Sequence, residues 1–212
     1  MSVRSQEPNS LWNHFADLNA VPRPSKKEER VIEFMMNFGR ELNLETIKDK
    51  IGNVIIKKPA SPGMENRKKV ILQSHLDMVH QKNGDTVFDF DNEGIKMRVQ
   101  GDWIDAEGTT LGADNGIGVA TIMATLSSNE IQHPALEAFF TIDEETGMTG
   151  AKEMDGSLFS GDILLNLDTE DDDELSIGCA GGIDTNTSYT CESIKAPKEY
   201  TFLQIDIKGL LG

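Results

Sequence analysis

Three short, mainly apolar runs, each followed by acidic or imidazole side chains, constrain the fold of this chain more than any other feature. They cover residues 70–73, 136–142 and 162–167. Runs of this kind are typical of strands buried on both faces of a sheet. An Ala- and Ile-rich segment at 116–127 predicts a buried helix between the first two strands, and a short helix is predicted at 150–155. This alternation predicts an α/β domain with a mainly parallel sheet flanked by helices.

Two helices are predicted ahead of this sheet. The first covers residues 10–18 and stops before a proline-containing turn. Ser25 and Glu28 form a capping box, the pattern of a helix N-terminus. It precedes an amphipathic run over residues 31–42 that predicts the second helix. Two further elements are a strand over residues 53–57 and a hairpin over residues 95–105.

Composition excludes several classes of partner. Lys and Arg number 20 and Asp and Glu 36, so the formal charge is −16. A nucleic acid or an anionic membrane needs a basic face, so we expect neither as a partner. The sequence shows no secretory signal and no apolar stretch long enough to span a membrane. The 2 cysteines lack C-x-x-C spacing and are typical of free thiols, so we expect a cytoplasmic protein.

The sequence changes character after residue 177. A Gly-rich stretch at 179–182 precedes two polar, Thr-rich strands predicted over 183–194 and 200–208. We therefore expect two domains, residues 1–178 and residues 179–212. The second is too short for its own core. Because the last four residues form neither a helix cap nor a polar tail, we also expect the fold to continue beyond them.

His75 and Asp77 follow the first apolar run, at the kind of strand end where open α/β sheets place their active sites. Residues i and i+2 of an extended chain face the same side. Asp77 can therefore accept a hydrogen bond from the second ring nitrogen of His75, as behind a metal-binding histidine. A surface histidine beside an aspartate fits the same pattern.

Two further strand ends carry carboxylates. Asp114 lies in a Gly-rich turn before the buried helix and is either a ligand or the helix N-cap. Asp143, Glu144 and Glu145 follow the second run, and adjacent carboxylates repel one another. A divalent cation or a solvated loop would offset this repulsion. With a cation, one glutamate can bind metal while the other acts as a base.

Asp168 ends the third buried run, whereas the acidic residues at 171–173 are typical of a solvated turn. His14, His80 and His133 are expected to have structural roles, with a substrate contact by His80 as the weaker alternative. The chain has neither a Walker loop nor a G-x-S-x-G motif, so nothing supports phosphate binding or serine hydrolysis.

Taken together, these residues resemble the co-catalytic di-zinc metallopeptidases of the aminoacylase and carboxypeptidase-G type. The flanking sequences are more specific and resemble those of the aminoacylhistidine (Xaa-His) dipeptidases, also called cytosol non-specific dipeptidases. The segments that carry the resemblance are SHLDMVH at 74–80, GTTLGADNGIG at 108–118, FTIDEETGM at 140–148 and NLDTE at 166–170.

The resemblance implies two divalent metal ions, zinc with manganese or cobalt as substitutes, since imidazole and carboxylate ligands are mixed. It also implies a cis peptide bond after the bridging aspartate. By the resemblance, His75 and Asp168 are ligands of the first metal, and Asp114 is the carboxylate that bridges both metals. Glu145 is a ligand of the second metal. Asp77 orients His75, and Glu144 is the general base.

The implied activity is hydrolysis of dipeptides such as β-alanyl-histidine by a metal-activated water, with Glu144 moving the proton. Residues 1–178 would be the N-terminal part of a catalytic domain, and residues 179–212 the start of an α+β lid that also serves dimerisation, so a homodimer is expected. The family's chain is longer and supplies a late histidine to the second metal. The resemblance therefore assigns the activity to the longer chain of the family and leaves open whether this chain alone is active.

Two alternatives remain open at this point. One is a non-catalytic module that kept the fold. The other is a related aminopeptidase or tripeptidase with the same metal core.

Overall fold

The structure is a computed structural model that describes residues 2–169, 174–178, 181, 183, 185–195, 198–199, 201 and 203–205. The chain divides into a unit of residues 1–172 and a unit of residues 173–212. No described residue of the second unit is in a helix or strand, and parts of the two strands predicted there lie outside the described residues. The domain limits 1–178 and 179–212 therefore stay a prediction.

The described part of the first unit contains all four helices that the sequence predicts and one further short helix, Glu144–Gly147. Within the described ranges, no helix is long and apolar enough to cross a membrane. The helices are α1 (Asn9–Asn19), α2 (Glu29–Glu41), α3 (Ala113–Ser127), α4 (Glu144–Gly147) and α5 (Thr149–Lys152), with single 3₁₀ turns at Val3–Ser5 and Gly156–Leu158. The strands are β1 (Glu45–Lys48), β2 (Val54–Lys58), β3 (Val70–His75), β4 (Met97–Gln100), β5 (Trp103–Ala106), β6 (Leu136–Thr141) and β7 (Ile163–Asn166).

Five strands form one mixed sheet in the order β1-β2-β6-β3-β7. The three strands on one side of it, β6, β3 and β7, are parallel. On the other side β2 pairs antiparallel with β6, and β1 pairs antiparallel with β2. β4 and β5 form a separate hairpin. The α/β prediction is confirmed, and the parallel strands are the three whose apolar runs led to it.

The main core lies between one face of the sheet and helices α1, α2 and α3. Ile56 and Phe140 point into it from β2 and β6, and Ile122 from α3. Because successive strand residues face opposite sides, Ile55 and Phe139 pack on the other face. There Phe139 meets Phe159 edge to face, with ring centroids 4.7 Å apart.

Four details differ from the sequence-based expectation. The expected burial of the third apolar run is wrong: β7 lies at the edge of the sheet, and Ile163, Leu164 and Leu165 are 41%, 58% and 48% exposed.

The capping box is wrong: Ser25 donates to Asp77 Oδ2 at 2.8 Å instead, and Glu28 makes no side-chain cap hydrogen bond. The buried Asp77 carboxylate needs donors, and Ser25 supplies one. The helix expected at 150–155 is α5, which begins one residue earlier and ends at Lys152, and the short helix α4 that precedes it was not expected. β1, which the sequence analysis missed, is a four-residue edge strand.

Candidate metal centre

The three parallel strands end at one edge of the sheet, and acidic side chains follow each of them. His75 of β3 is in register with Thr141 of β6, and Gln73 of β3 with Asn166 of β7. Residues that follow parallel strands lie on the same side of the domain. The predicted site residues that follow these strands therefore lie close together. Asp114, at the start of α3, lies beside them.

His75 lies at the centre of this group and is fully buried. Its Nε2 atom is 2.9 Å from Asp114 Oδ1 and 3.7 Å from Asp168 Oδ2. One ligand atom from each of these three residues lies within 4.8 Å of the others, and the same holds for His75 with Glu144 and Glu145. The structure therefore gathers the predicted metal ligands and the predicted base around one imidazole.

Asp77 holds the opposite side of the imidazole and is also fully buried. The His75 Nδ1 atom is 3.0 Å from the Asp77 backbone oxygen and 3.3 Å from Asp77 Oδ1. Both oxygens are acceptors, so Nδ1 carries a proton and Nε2 is turned to the carboxylates. The Asp77 carboxylate also accepts the backbone N–H groups of Glu144 at 3.0 Å and Glu145 at 3.3 Å. Asp77 thus links the ring orientation to the start of α4.

Asp143 uses its carboxylate locally. Its backbone is left-handed, with φ of 50°, and its carboxylate accepts the hydroxyls of Thr146 and Thr149. The three adjacent carboxylates at this strand end therefore have different surroundings. Asp143 closes the turn, while Glu144 and Glu145 reach His75.

The peptide bond between Asp114 and Asn115 is cis, which confirms the expectation. The buried Asn115 side chain donates from Nδ2 to the Leu167 backbone oxygen at 2.9 Å and to Asp168 Oδ1 at 3.2 Å. Asn115 therefore links the segment that carries Asp114 to the carboxylate of Asp168. The sequence analysis placed Asn115 only in the cis peptide bond and gave its side chain no role; its position beside Asp114 in a Gly-rich turn was the available signal.

The electrostatics show that negative charge is crowded here. Burial, together with the charges of Asp114 and Glu144, raises the pKa of Asp168 to about 6. Burial alone would lower the pKa of His75, but the hydrogen bond and charge of Asp77 and the charge of Asp168 outweigh it. They raise the pKa of His75 to about 9. A cation among these carboxylates would relieve the repulsion.

The residues present fit a divalent metal centre. His75 presents Nε2 toward carboxylate oxygens, so a positive charge, either a proton or a metal ion, belongs between them. One imidazole nitrogen with several carboxylate oxygens is a donor set that suits zinc.

The other histidines contact residues outside this cluster. The His80 ring packs against Phe90, with centroids 5.9 Å apart. His14 Nε2 lies 3.1 Å from Ser127 Oγ. His133 is buried, and its backbone N–H donates to the Ser61 hydroxyl.

The chain matches the family model of peptidase family M20/M25/M40 over residues 71–196 and belongs to that family. It is 44% identical to the cytosol non-specific dipeptidase of Escherichia coli K12, in a match that covers 100% of this chain and 44% of the relative. The chain thus spans less than half the length of that dipeptidase.

The chain is also similar to solved structures of peptidases. The aminoacylhistidine dipeptidase of Vibrio alginolyticus matches with a TM-score of 0.79 and 48% identity, covering 80% of this chain and 35% of that one. The aminopeptidase PepT of Bacillus cereus matches with a TM-score of 0.64 and 26% identity, covering 76% of this chain and 43% of that one.

Proposed function

We propose that this chain carries the metal-binding part of a dipeptidase that hydrolyses dipeptides, including Xaa-His dipeptides such as β-alanyl-histidine. The supporting observation is the placement of His75, whose Nδ1 contacts Asp77 while its Nε2 lies 2.9 Å from Asp114. In this proposal His75, Asp114 and Asp168 hold one divalent ion, and Asp114 and Glu145 contribute to a second.

The remaining ligand of the second ion would come from outside the described residues. Zinc is the proposed metal, with manganese or cobalt as substitutes. When bound, two such ions lower the pKa of a water and polarise the scissile carbonyl.

Glu144 is the proposed general base. Its backbone N–H is held by Asp77, and its carboxylate lies within 4.8 Å of ligand atoms of His75 and Glu145. A carboxylate so placed can accept the proton of the attacking water and return it to the leaving amine. Asp77 is the proposed orienting residue, because it contacts both His75 and the backbone of Glu144.

The dipeptide class is supported by the 44% identity to a dipeptidase over the whole of this chain. The name of that relative also supports a cytoplasmic location. A homodimer of the complete protein is the expectation that the resemblance adds. A peptidase acting on longer substrates is the second candidate, supported by the likeness to an aminopeptidase at 26% identity.

A chimera tests the proposal directly. This chain replaces the matching part of the E. coli dipeptidase, and hydrolysis of β-alanyl-histidine, α-dipeptides and tripeptides is measured with added zinc or manganese. We expect dipeptide hydrolysis, and a drop of about 10²–10⁴-fold for Glu144→Gln, the usual contribution of a general base. Glu153→Gln, an exposed carboxylate outside the cluster, is the matched control.

Two measurements keep the test decisive. Circular dichroism and metal analysis establish that each chimera is folded and loaded. A folded, metal-loaded chimera that hydrolyses none of the peptides would overturn the proposal, and faster hydrolysis of tripeptides than of dipeptides would favour the second candidate.

A further inference from the structure

Arg23 is an arginine buried to 1% exposure beneath the candidate metal centre. Its Nη1 donates to the backbone oxygens of Leu76 at 3.0 Å and Asp77 at 3.2 Å. Its Nη2 donates to the Gly112 backbone oxygen at 2.6 Å and to Asn19 Oδ1 at 3.0 Å. Because burying a charge is costly unless it is well paired, these contacts need an explanation beyond chance packing.

The acceptors belong to two separate ligand-bearing segments. Leu76 follows His75 directly, and Gly112 lies two residues before Asp114. A single guanidinium thus joins the backbone of the segment that carries the imidazole to that of the segment that carries the proposed bridging carboxylate. The planar guanidinium holds its donors in a rigid arrangement, which lysine cannot reproduce.

The start of α3 closes tightly on this guanidinium. A Cβ atom at Gly112 would lie 2.5 Å from Arg23 Nη2, and one at Gly116 would lie 2.7 Å from the same atom. The two glycines on either side of Asp114 therefore leave the space that Arg23 occupies.

Two residues that follow Arg23 contact the first and the third ligand-bearing segments. Ser25 Oγ donates to Asp77 Oδ2 at 2.8 Å, and Glu28 Oε1 accepts the Asp143 backbone N–H at 3.1 Å. Asp143 immediately precedes Glu144. The pair that the sequence presented as a helix cap therefore extends the same set of contacts.

We propose that Arg23 is a positioning residue that sets the distance between His75 and Asp114 and thereby the affinity of the centre for metal; this rests on the proposed function. Charge and positioning predict opposite effects of Arg23 on metal affinity. A cation beside Asp77, Asp114 and Glu145 opposes the binding of a second cation, so charge alone predicts that removing Arg23 tightens metal binding. Positioning predicts the opposite.

The test is zinc affinity of the 212-residue chain, measured by calorimetry or chelator competition for Arg23→Lys and Arg23→Met. We expect both variants to bind zinc about 10–100-fold more weakly, the usual cost of losing support behind metal ligands. The visible absorption spectrum of the cobalt-loaded chain should also change, because it reports ligand geometry. A variant that merely loses stability would keep this spectrum.

Glu137→Gln is the matched control, since it also alters a buried charged residue that binds backbone groups, at the other end of the sheet. It should leave the zinc affinity unchanged. If Arg23→Met does not fold, Gly116→Ala takes its place. Its Cβ atom would lie 2.7 Å from Arg23 Nη2 and 2.8 Å from Phe15 Cε2, so it displaces the guanidinium or the ring without removing either.

The outcomes separate this inference from the proposed function. Folded Arg23 variants that bind zinc as tightly as the unmodified chain, or more tightly, overturn the positioning role alone. An unmodified chain that binds no zinc overturns both.

Discussion

A buried carboxylate lies at one end of the sheet and partly buried carboxylates lie at the other, and their surroundings are opposite. At the amino-terminal end of β6, Glu137 is 4% exposed and accepts the backbone N–H groups of Ser160 and Gly161 and the Ser160 hydroxyl. At the other edge, Asp168 and Glu145 lie among further carboxylates around one imidazole.

The pKa directions report this difference. Burial tends to raise the pKa of Glu137, but the hydrogen bonds from Ser160 and Gly161 outweigh it, and the pKa lies below its ordinary value. For Asp168 burial and neighbouring negative charge act together, and the pKa rises to about 6. Burial alone therefore does not mark a functional carboxylate. A shortage of donors among neighbouring negative charges is the better indicator, because a proton or an added cation must then offset the charge.

The largest expected effect is the loss of zinc binding in His75→Ala. This change removes the nitrogen ligand of the cluster. Zinc affinity should therefore fall by more than the factor of about 10–100 that is typical for residues that support the ligands. Calorimetry on the folded variant measures it. His80→Ala is the control, since His80 packs on Phe90. Equal loss in both variants would show that metal binds elsewhere.

The second prediction concerns the other end of the sheet. Glu137→Gln should lower the free energy of unfolding by about 1.5–3 kcal/mol, the range for hydrogen bonds to a charged group. Urea denaturation measures the change, and zinc affinity should not move. A fall in zinc affinity would remove the distinction between the two ends.

The same variant has a pH signature. Because the pKa of Glu137 is lower in the folded chain than its ordinary value of 4.5, its contribution is present above that value and is lost as the pH falls through the folded pKa. The stability difference between the unmodified chain and Glu137→Gln should therefore shrink as the pH falls below 4.5. A difference that grows on acidification would contradict the assigned contacts.

The third prediction concerns backbone packing beneath the centre. A Cβ atom at Gly118 would lie 2.5 Å from Ser74 Oγ and 2.8 Å from the Leu167 backbone oxygen. Gly118→Ala should therefore destabilise the chain by about 1–3 kcal/mol, as overpacking does. Gly84→Ala, which meets nothing within 4 Å, should be close to neutral in the same urea titration. Equal effects would mean that the chain relaxes freely around Gly118.

The strands of the sheet differ in how far the sequence predicts them. The strands at 70–73, 136–142 and 162–167 were predictable because each apolar run is short, whereas the longer apolar run at 116–127 forms a helix. The charged residues that follow them were predictable as a cluster, since parallel strands place their ends together. β1 was not, because a four-residue edge strand with exposed ends leaves no clear pattern.

The supporting residues were harder to predict because their partners are distant in sequence. Arg23 contacts Leu76 and Gly112, which are 53 and 89 residues away. Ser25 and Glu28 show why a local pattern misleads here. Their spacing is that of a helix cap. In the structure, however, Ser25 donates to the buried Asp77 carboxylate and Glu28 accepts the backbone N–H of Asp143.

The smallest expected effect belongs to an exposed carboxylate, which completes the comparison. Asp105 pairs with Arg98 across the β4–β5 hairpin, at 2.6 Å between Oδ1 and Nε, and both side chains are largely exposed. Water already solvates both charges, so Asp105→Asn should change the free energy of unfolding far less than Glu137→Gln does. Added salt should abolish the change in the free energy of unfolding caused by Asp105→Asn. It should leave the change caused by Glu137→Gln, because salt screens exposed charges more than buried ones. A large, salt-resistant effect at Asp105 would mean that pairing, rather than removal from water, decides how much a carboxylate matters in this fold.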